Sequence, residues 1–365
     1  MLKYKPMIRF GYISFFLLTF LFGGTVQAQV SDEPREVQAV IEQIREQKQE
    51  GAARFYRFTA RTELSEAFDV QTIDSYPNGL YIPLRVGDRV RLRIVEMNDG
   101  TQTVFFDDKV RTPILAILFM AFALLAIAVG FFRGIFSLIG LGITVCLLAF
   151  FLLPAILAGK DPILFTVLTS VLILFLNIHL SHGFRVRTFF AFLGTMGGLL
   201  LVWLFSVLFS EQASVSGLGT EESNLLLWEI KTIADPVRIF AAAVILGAVG
   251  VLDDVAVSQS EIVEELKRAN PHLTRRELFF RAMRIGQHHI ASTINTLVLV
   301  YAGAALPTFL LFFSASTDVN SFLNNEVVAE EIVRTLAGTS ALILTVPLST
   351  LFATFPHIDN TEKHG

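Results

Sequence analysis

The side chains best suited to chemistry crowd into one stretch of the 365-residue chain. Asp253 and Asp254 close the glycine-interrupted apolar run that starts at Gly247, and Gly286-Gln-His-His-Ile-Ala-Ser-Thr-Ile-Asn295 opens a later one. Helical spacing from Asp254 sets Ser258, Glu261 and Glu265 on its stripe, with Val255, Ile262 and Leu266 on an adjoining face. His288, Ser292 and Asn295 share another stripe, and His289, Thr293 and Thr296 the next. Carboxylates and imidazoles that meet between helices suit proton or cation coupling, the imidazole titrating near neutral pH. Two Asp and two His also compose a metal set, but adjacent residues point to different helix faces, so at most one of each pair serves a single site. Plain polar packing between helices is the competing reading.

What must position these groups is a membrane. Hydrophobic residues make up 53% of the chain and charged ones 17%, with mean hydropathy +0.58, which excludes an ordinary soluble protein of this length. The run from Ile239 to Leu252 reaches only about 21 Å against a hydrocarbon core of about 30 Å. Either Arg238 snorkels outward or the two aspartates lie below the membrane surface, shielded by helices or facing a wet cavity. The single cysteine, Cys146, sits in an apolar run as a small packing residue, and its being alone excludes an intrachain disulfide or a thiolate cluster.

At the N-terminus, Lys3, Lys5 and Arg9 precede the apolar run Phe10 to Phe22 and the small-residue site Val26-Gln27-Ala28, the pattern of a signal peptide spanning residues 1–28. An uncleaved anchor is the alternative, and both place residues 29–112 outside the cytoplasm. In that portion Val37, Val40, Ile41 and Ile44 predict a short amphipathic helix over Glu36 to Glu50. Val90, Leu92 and Ile94 alternate with Arg89, Arg91 and Arg93, and Asn98-Asp99-Gly100 precedes Val104-Phe105-Phe106, which predicts a hairpin in a small antiparallel sheet or barrel. The arginine row reads as a solvated strand face, with an anion-binding face as the alternative.

Seven apolar segments follow, near 113–132, 134–157, 163–180, 188–209, 236–252, 290–313 and 332–352. The fold class is therefore an α-helical integral membrane protein of about seven transmembrane helices, with a small N-terminal extracytoplasmic β-rich domain. Alternation from an outside N-terminus puts Arg133, Arg185, Arg187, a helical hairpin at about 255–288 and the tail 353–365 in the cytoplasm. The basic residues concentrate there, as the positive-inside rule requires of a bacterial inner-membrane protein. In the hairpin, Asn270-Pro271 breaks the first helix and Thr274 with Glu277 starts the second as a capping box. The second helix sets Arg275, Arg276, Arg281 and Arg284 beside Leu278, Phe279, Met283 and Ile285, which suits the inner membrane surface, with a gate or partner-docking element as the competing role. Gly194 with Gly198, and the run from Ala302 to Ala305, read as close-approach surfaces. Asn177, His179 and His182 read as interhelical hydrogen bonding, with a proton path as the alternative.

Several motifs in fixed order resemble the YibE/F-like family of polytopic bacterial membrane proteins: Gly-Ala-x-Gly-x-x-x-Asp-Val at Gly247 to Val255, Glu-Leu-x-x-x-Asn-Pro at Glu265 to Pro271, and Ile285-Gly286 through Asn295-Thr296-Leu297 and Tyr301-Ala-Gly. His182-Gly183-Phe184, Gly194-Thr195-x-Gly197-Gly198, Glu330-Glu331-Ile-Val-Arg334-x-Leu-Ala-Gly338 and the turn Val86-Gly87-Asp88 also fit. The resemblance implies a multispanning protein with an outer β-type domain and matches Asp254 to the family's Asp before Val, with Asp253 an additional acid. It implies no activity.

No phosphate-cradling loop, His-Glu-x-x-His or nucleophile elbow is present, and an intramembrane aspartyl protease would need a Gly before its Asp and a second intramembrane Asp. An enzyme is not expected, nor a cofactor, nor a nucleic-acid partner. Two readings from different classes remain. One is a secondary transporter or permease that moves a small solute with protons or cations through Asp253, Asp254, Ser258, Glu261, His288, His289, Ser292 and Asn295. The other is a non-transporting scaffold in the bilayer whose outer domain and cytoplasmic hairpin bind partners.

Overall fold

A computed structural model describes residues 35–50, 53–62, 66–75, 84–96, 102–229, 235–314 and 318–355. The expected signal segment, the Asn98-Asp99-Gly100 turn and most of the 353–365 tail lie outside the described residues. The chain separates into two compact units, 1–125 and 126–365.

The first unit holds an antiparallel sheet of β1 (Arg35–Glu50), β2 (Ala53–Thr62), β3 (Ala67–Ser75), β4 (Arg89–Glu96) and β5 (Gln102–Lys109), in the order β3-β2-β1-β4-β5. The edges β3 and β5 approach one another, so the sheet curls into a half-barrel. Val90, Leu92 and Ile94 are buried while Arg89, Arg91 and Arg93 are exposed, as their alternation predicts. Arg91 and Arg93 both pair with Asp107 on β5, at 2.5 and 2.9 Å, so these two arginines hold a solvated strand face together.

The helix expected over Glu36 to Glu50 is instead β1. Val37, Ala39 and Ile41 face the core alternately, and β1 pairs with β2 on one side and β4 on the other. Register shifts between Ile41 and Gln43 and between Ile44 and Glu46 then return Ile44 to the core side. A bulge changes the two-residue period and mimics helical spacing in the sequence.

The helices begin at the end of the first unit and make up the second, and most of the longer ones are apolar. α1 (Thr112–Leu147) continues through a π turn, Leu148–Leu152, into α2 (Leu153–Leu157). α3 (Pro162–His182), α4 (Val186–Gln212), α5 (Glu221–Glu229), α6 (Pro236–Ala269), α7 (Arg275–Ala304), α8 (Leu306–Ser314), α9 (Val319–Leu323) and α10 (Glu326–Ala353) follow. Five helices are long and apolar enough to cross a membrane, six when α7 and α8, bent by 62°, count as one span. These apolar helices mark a membrane-associated protein. Against the expected seven, the difference lies in the run Thr112–Leu157, which counts once. That run is interrupted at Phe131, with φ 49° and ψ −129°. Beyond the interruption a Cβ on Gly134 would collide with the carbonyl of Ala126, so the chain doubles back there and glycine is required.

The core of this unit sits where α4, α6 and α10 meet. Gly194 and Gly198 lie against α10, where an added Cβ would stand 2.8 Å from Ser349 Cα and 2.5 Å from Thr345 Oγ1. The close-approach reading of that pair therefore holds. Gly303 does not behave so, having nothing within 4 Å of its Cβ position; it stands beside the α7–α8 bend.

Candidate functional site

α6 is one continuous helix through Asp253 and Asp254, so the fifth apolar run and the first helix of the predicted hairpin are a single element. It ends at Ala269, before Asn270-Pro271, and Thr274 caps α7 in a full capping box with Glu277, as the sequence predicts.

α3 and α6 run alongside in the same direction and are tied at both ends. Arg238 pairs with Asp161 at the start of each helix, and Glu261 Oε1 lies 3.8 Å from His182 Nδ1 at the end of α3. α3, with 21 residues, is about 31 Å long. Asp253 and Asp254 therefore stand about 11–12 Å before the Glu261 end of this frame.

The faces of α6 divide among its neighbours. Val251 and Val255 pack with Met283 and Ile290 of α7 and with Leu342 and Val346 of α10. Leu252 meets α4 beside Gly198. Val249 and Val257 join the cluster built on Ile173, Ile178 and Leu199. Asp253, one helical turn from each of those two valines, thus faces the α3 side and not α7. It is half-buried, and its Oδ1 is buried without a hydrogen-bond partner.

Asp254 is exposed and makes no ion pair among the described residues. Ser258 is half-buried, and exposed Glu261 is engaged with His182. On α7, His288, Ser292 and Asn295 are exposed. His289 is half-buried, with its Nε2 buried and unpartnered and its backbone carbonyl accepting from Thr293 Oγ1 at 2.8 Å. Among the described residues no hydrogen bond or ion pair joins Asp253 or Asp254 to either histidine of α7. No group of three His, Cys, Asp or Glu is placed to hold a metal ion among the described residues.

A cavity of about 30 Å³, room for one water-sized species, lies at the His182–Glu261 end. Arg187, Thr188, Val257 and Ser260 line it with that pair, and the Thr188 and Ser260 hydroxyls are buried without partners. His179 belongs elsewhere: its Nδ1 bonds the Phe175 carbonyl at 2.8 Å, and its ring lies among Phe175, Phe184 and Phe192. Asn177 donates to Thr144 Oγ1 at 3.3 Å. Both are ordinary packing contacts.

The reading from sequence missed Gln259. It is 0% exposed, accepts from Thr350 Oγ1 at 2.9 Å, and leaves Nε2 unpartnered. A Cβ on Gly286 would stand 3.0 Å from that nitrogen, so α6, α7 and α10 meet on a buried amide. Its signal was a polar residue on the apolar stripe Val255, Gln259, Val263. Glu326 and Glu330 were also missed as anchors. They accept from the backbone N–H groups of Ser216 and Gly219, at 2.6 and 3.0 Å, and hold the loop after α4.

No curated protein and no solved structure matches the chain. The family model described as YibE/F-like protein matches residues 118–357, which cover α6, α7 and every candidate site residue on them. The chain belongs to the YibE/F-like family.

Proposed function

We propose that this protein is a multi-pass inner-membrane secondary transporter or permease whose solute movement is coupled to protons or cations at Asp253 and Asp254. The observation that carries the reading is the buried, unpartnered Oδ1 of Asp253, deep in a helix otherwise apolar enough to span. An ionisable group at such depth costs about 2.5–3.5 kcal/mol to insert and marks functional sites in membranes. α7, which packs on α6, carries the polar groups nearest the acidic pair, and its break into α8 lies about 20 Å further along, toward the outer end. His288, His289, Ser292, Asn295 and Ser258 supply further polar groups along the same two helices, and Glu261 with His182 forms the inner end of the site.

In this reading the doubling back at Phe131 makes two spans of residues 112–157, and α7 with α8 makes one, which gives seven. The sheet domain lies outside, and Arg133, Arg185, Arg187, the α6–α7 turn and the C-terminus lie in the cytoplasm, following the distribution of Lys and Arg. The test is uptake by purified protein in proteoliposomes under an imposed proton or sodium gradient, wild type against Asp253→Asn and Asp254→Asn, with thermal stability measured in parallel. Flux lost from a stable Asp253→Asn supports coupling. Absent flux from folded wild type across a broad panel of solutes rejects transport in favour of a scaffold.

A further inference from the structure

α7 leaves a polar stripe uncovered. Its buried residues are Leu278, Ala282 and Gly286, while His288, Ser292 and Asn295 are exposed. On α6 the exposed sector contains Gly247, Gly250 and Asp254. At about 100° per residue this sector falls between Val257, turned to α3, and Val251, turned to α7. Asp254 therefore opens between α3 and α7. The contact of Gln259 with Gly286 sets the antiparallel register, so Asp254, five residues away along α6, is level with Ala291 and Ser292. Asn295 and His288 lie about one turn to either side. A carboxylate facing hydrocarbon is costly to insert, and a row of amide, hydroxyl and imidazole groups there loses its hydrogen bonds to water. The row lies on the side of α7 away from Gly286 and α6; in a membrane both it and Asp254 must be covered.

We propose that a second copy of this chain covers both, in an isologous contact in which Asp254 of each copy accepts hydrogen bonds from Ser292, Asn295 or His288 of the other. The chemistry is self-complementary, an acceptor on α6 against a row of donors on α7, and two-fold symmetry satisfies it twice. Gly250 has nothing within 4 Å of its Cβ position, which leaves room for a partner helix to approach closely. This rests on the membrane reading above and adds that the polar site is incomplete in one copy.

The test uses the full chain with Cys146→Ser, reconstituted in phosphatidylethanolamine/phosphatidylglycerol liposomes, carrying Ser292→Cys or, as control, Leu172→Cys on the exposed side of α3. A short bismaleimide should link Ser292→Cys copies at least fivefold more than Leu172→Cys copies. Adding Asp254→Leu should abolish that excess, and adding Asp254→Asn, still an acceptor, should retain it. Equal linking of the two cysteine variants, or linking indifferent to Asp254→Leu, overturns the proposal. A monomer that supports flux removes the dimer and leaves transport standing. A dimer without flux upholds the contact and removes transport.

Discussion

Glu261 Oε1 stands 3.8 Å from His182 Nδ1, and this pair with Arg238–Asp161 fixes how α6 is placed along α3. Both pairs are partly exposed; Arg238–Asp161 is worth about 0–1 kcal/mol, and Glu261 attracts His182 as an ion only when the imidazole is protonated. They set alignment more than stability. Glu261→Gln should therefore shift the melting temperature by no more than a degree or two, measured in detergent. A drop of ten degrees would mean that the pair carries packing energy.

Gln259 makes one hydrogen bond to Thr350 and leaves its Nε2 bare. Replacing it by Met keeps the volume, forfeits about 1 kcal/mol of hydrogen bond and removes a buried polar group that costs about 1–3 kcal/mol. Gln259→Met should be as stable as wild type or slightly more so. A loss above about 2 kcal/mol, read from thermal or denaturant unfolding, would show that Nε2 has a bound partner in the membrane.

Gly194 lets α4 touch the backbone of α10 at Ser349. A Cβ there must push two helices apart or unfold one of them. Gly194→Leu should reduce stability by about 2–3 kcal/mol and lower the yield of folded protein in membranes. Gly303→Leu, where no neighbour lies within 4 Å, should leave yield unchanged; quantitative membrane immunoblots compare the two.

The sheet domain should weaken in acid. Partial burial opposes ionisation of Asp88, but Lys109 Nζ at 2.6 Å and the Arg85 N–H at 2.8 Å outweigh it and hold the carboxyl below its ordinary 3.8. Asp108 is lowered as well, chiefly by its hydrogen bond from Arg111. A depressed carboxylate contributes stability that is complete above its unfolded value and lost as pH falls through its folded one. The protection factors of β1 and β4 amides in the full chain, corrected for the intrinsic pH dependence of exchange, should thus fall only below about pH 4, and Asp88→Asn should flatten that dependence.

What the sequence determined by itself was local or compositional. Apolar content, β4 alternation, the Thr274 capping box and the stop at Asn270-Pro271 depend on near neighbours, and each is found where it was expected. β1 was misread because the bulges at Glu42 and Arg45 arise from pairing with β2, which no window of β1 contains. The chain's own periodicity placed Asp254 and Glu261 on one stripe, yet which stripe faces which helix follows from packing. α3 binds α6 at both ends and takes the side that holds Asp253, while α7 and α10 close on Gln259. Helical spacing alone cannot distinguish Asp253, drawn toward α3, from its neighbour Asp254, left open between α3 and α7, because adjacent residues differ only by a rotation whose meaning depends on what surrounds the helix.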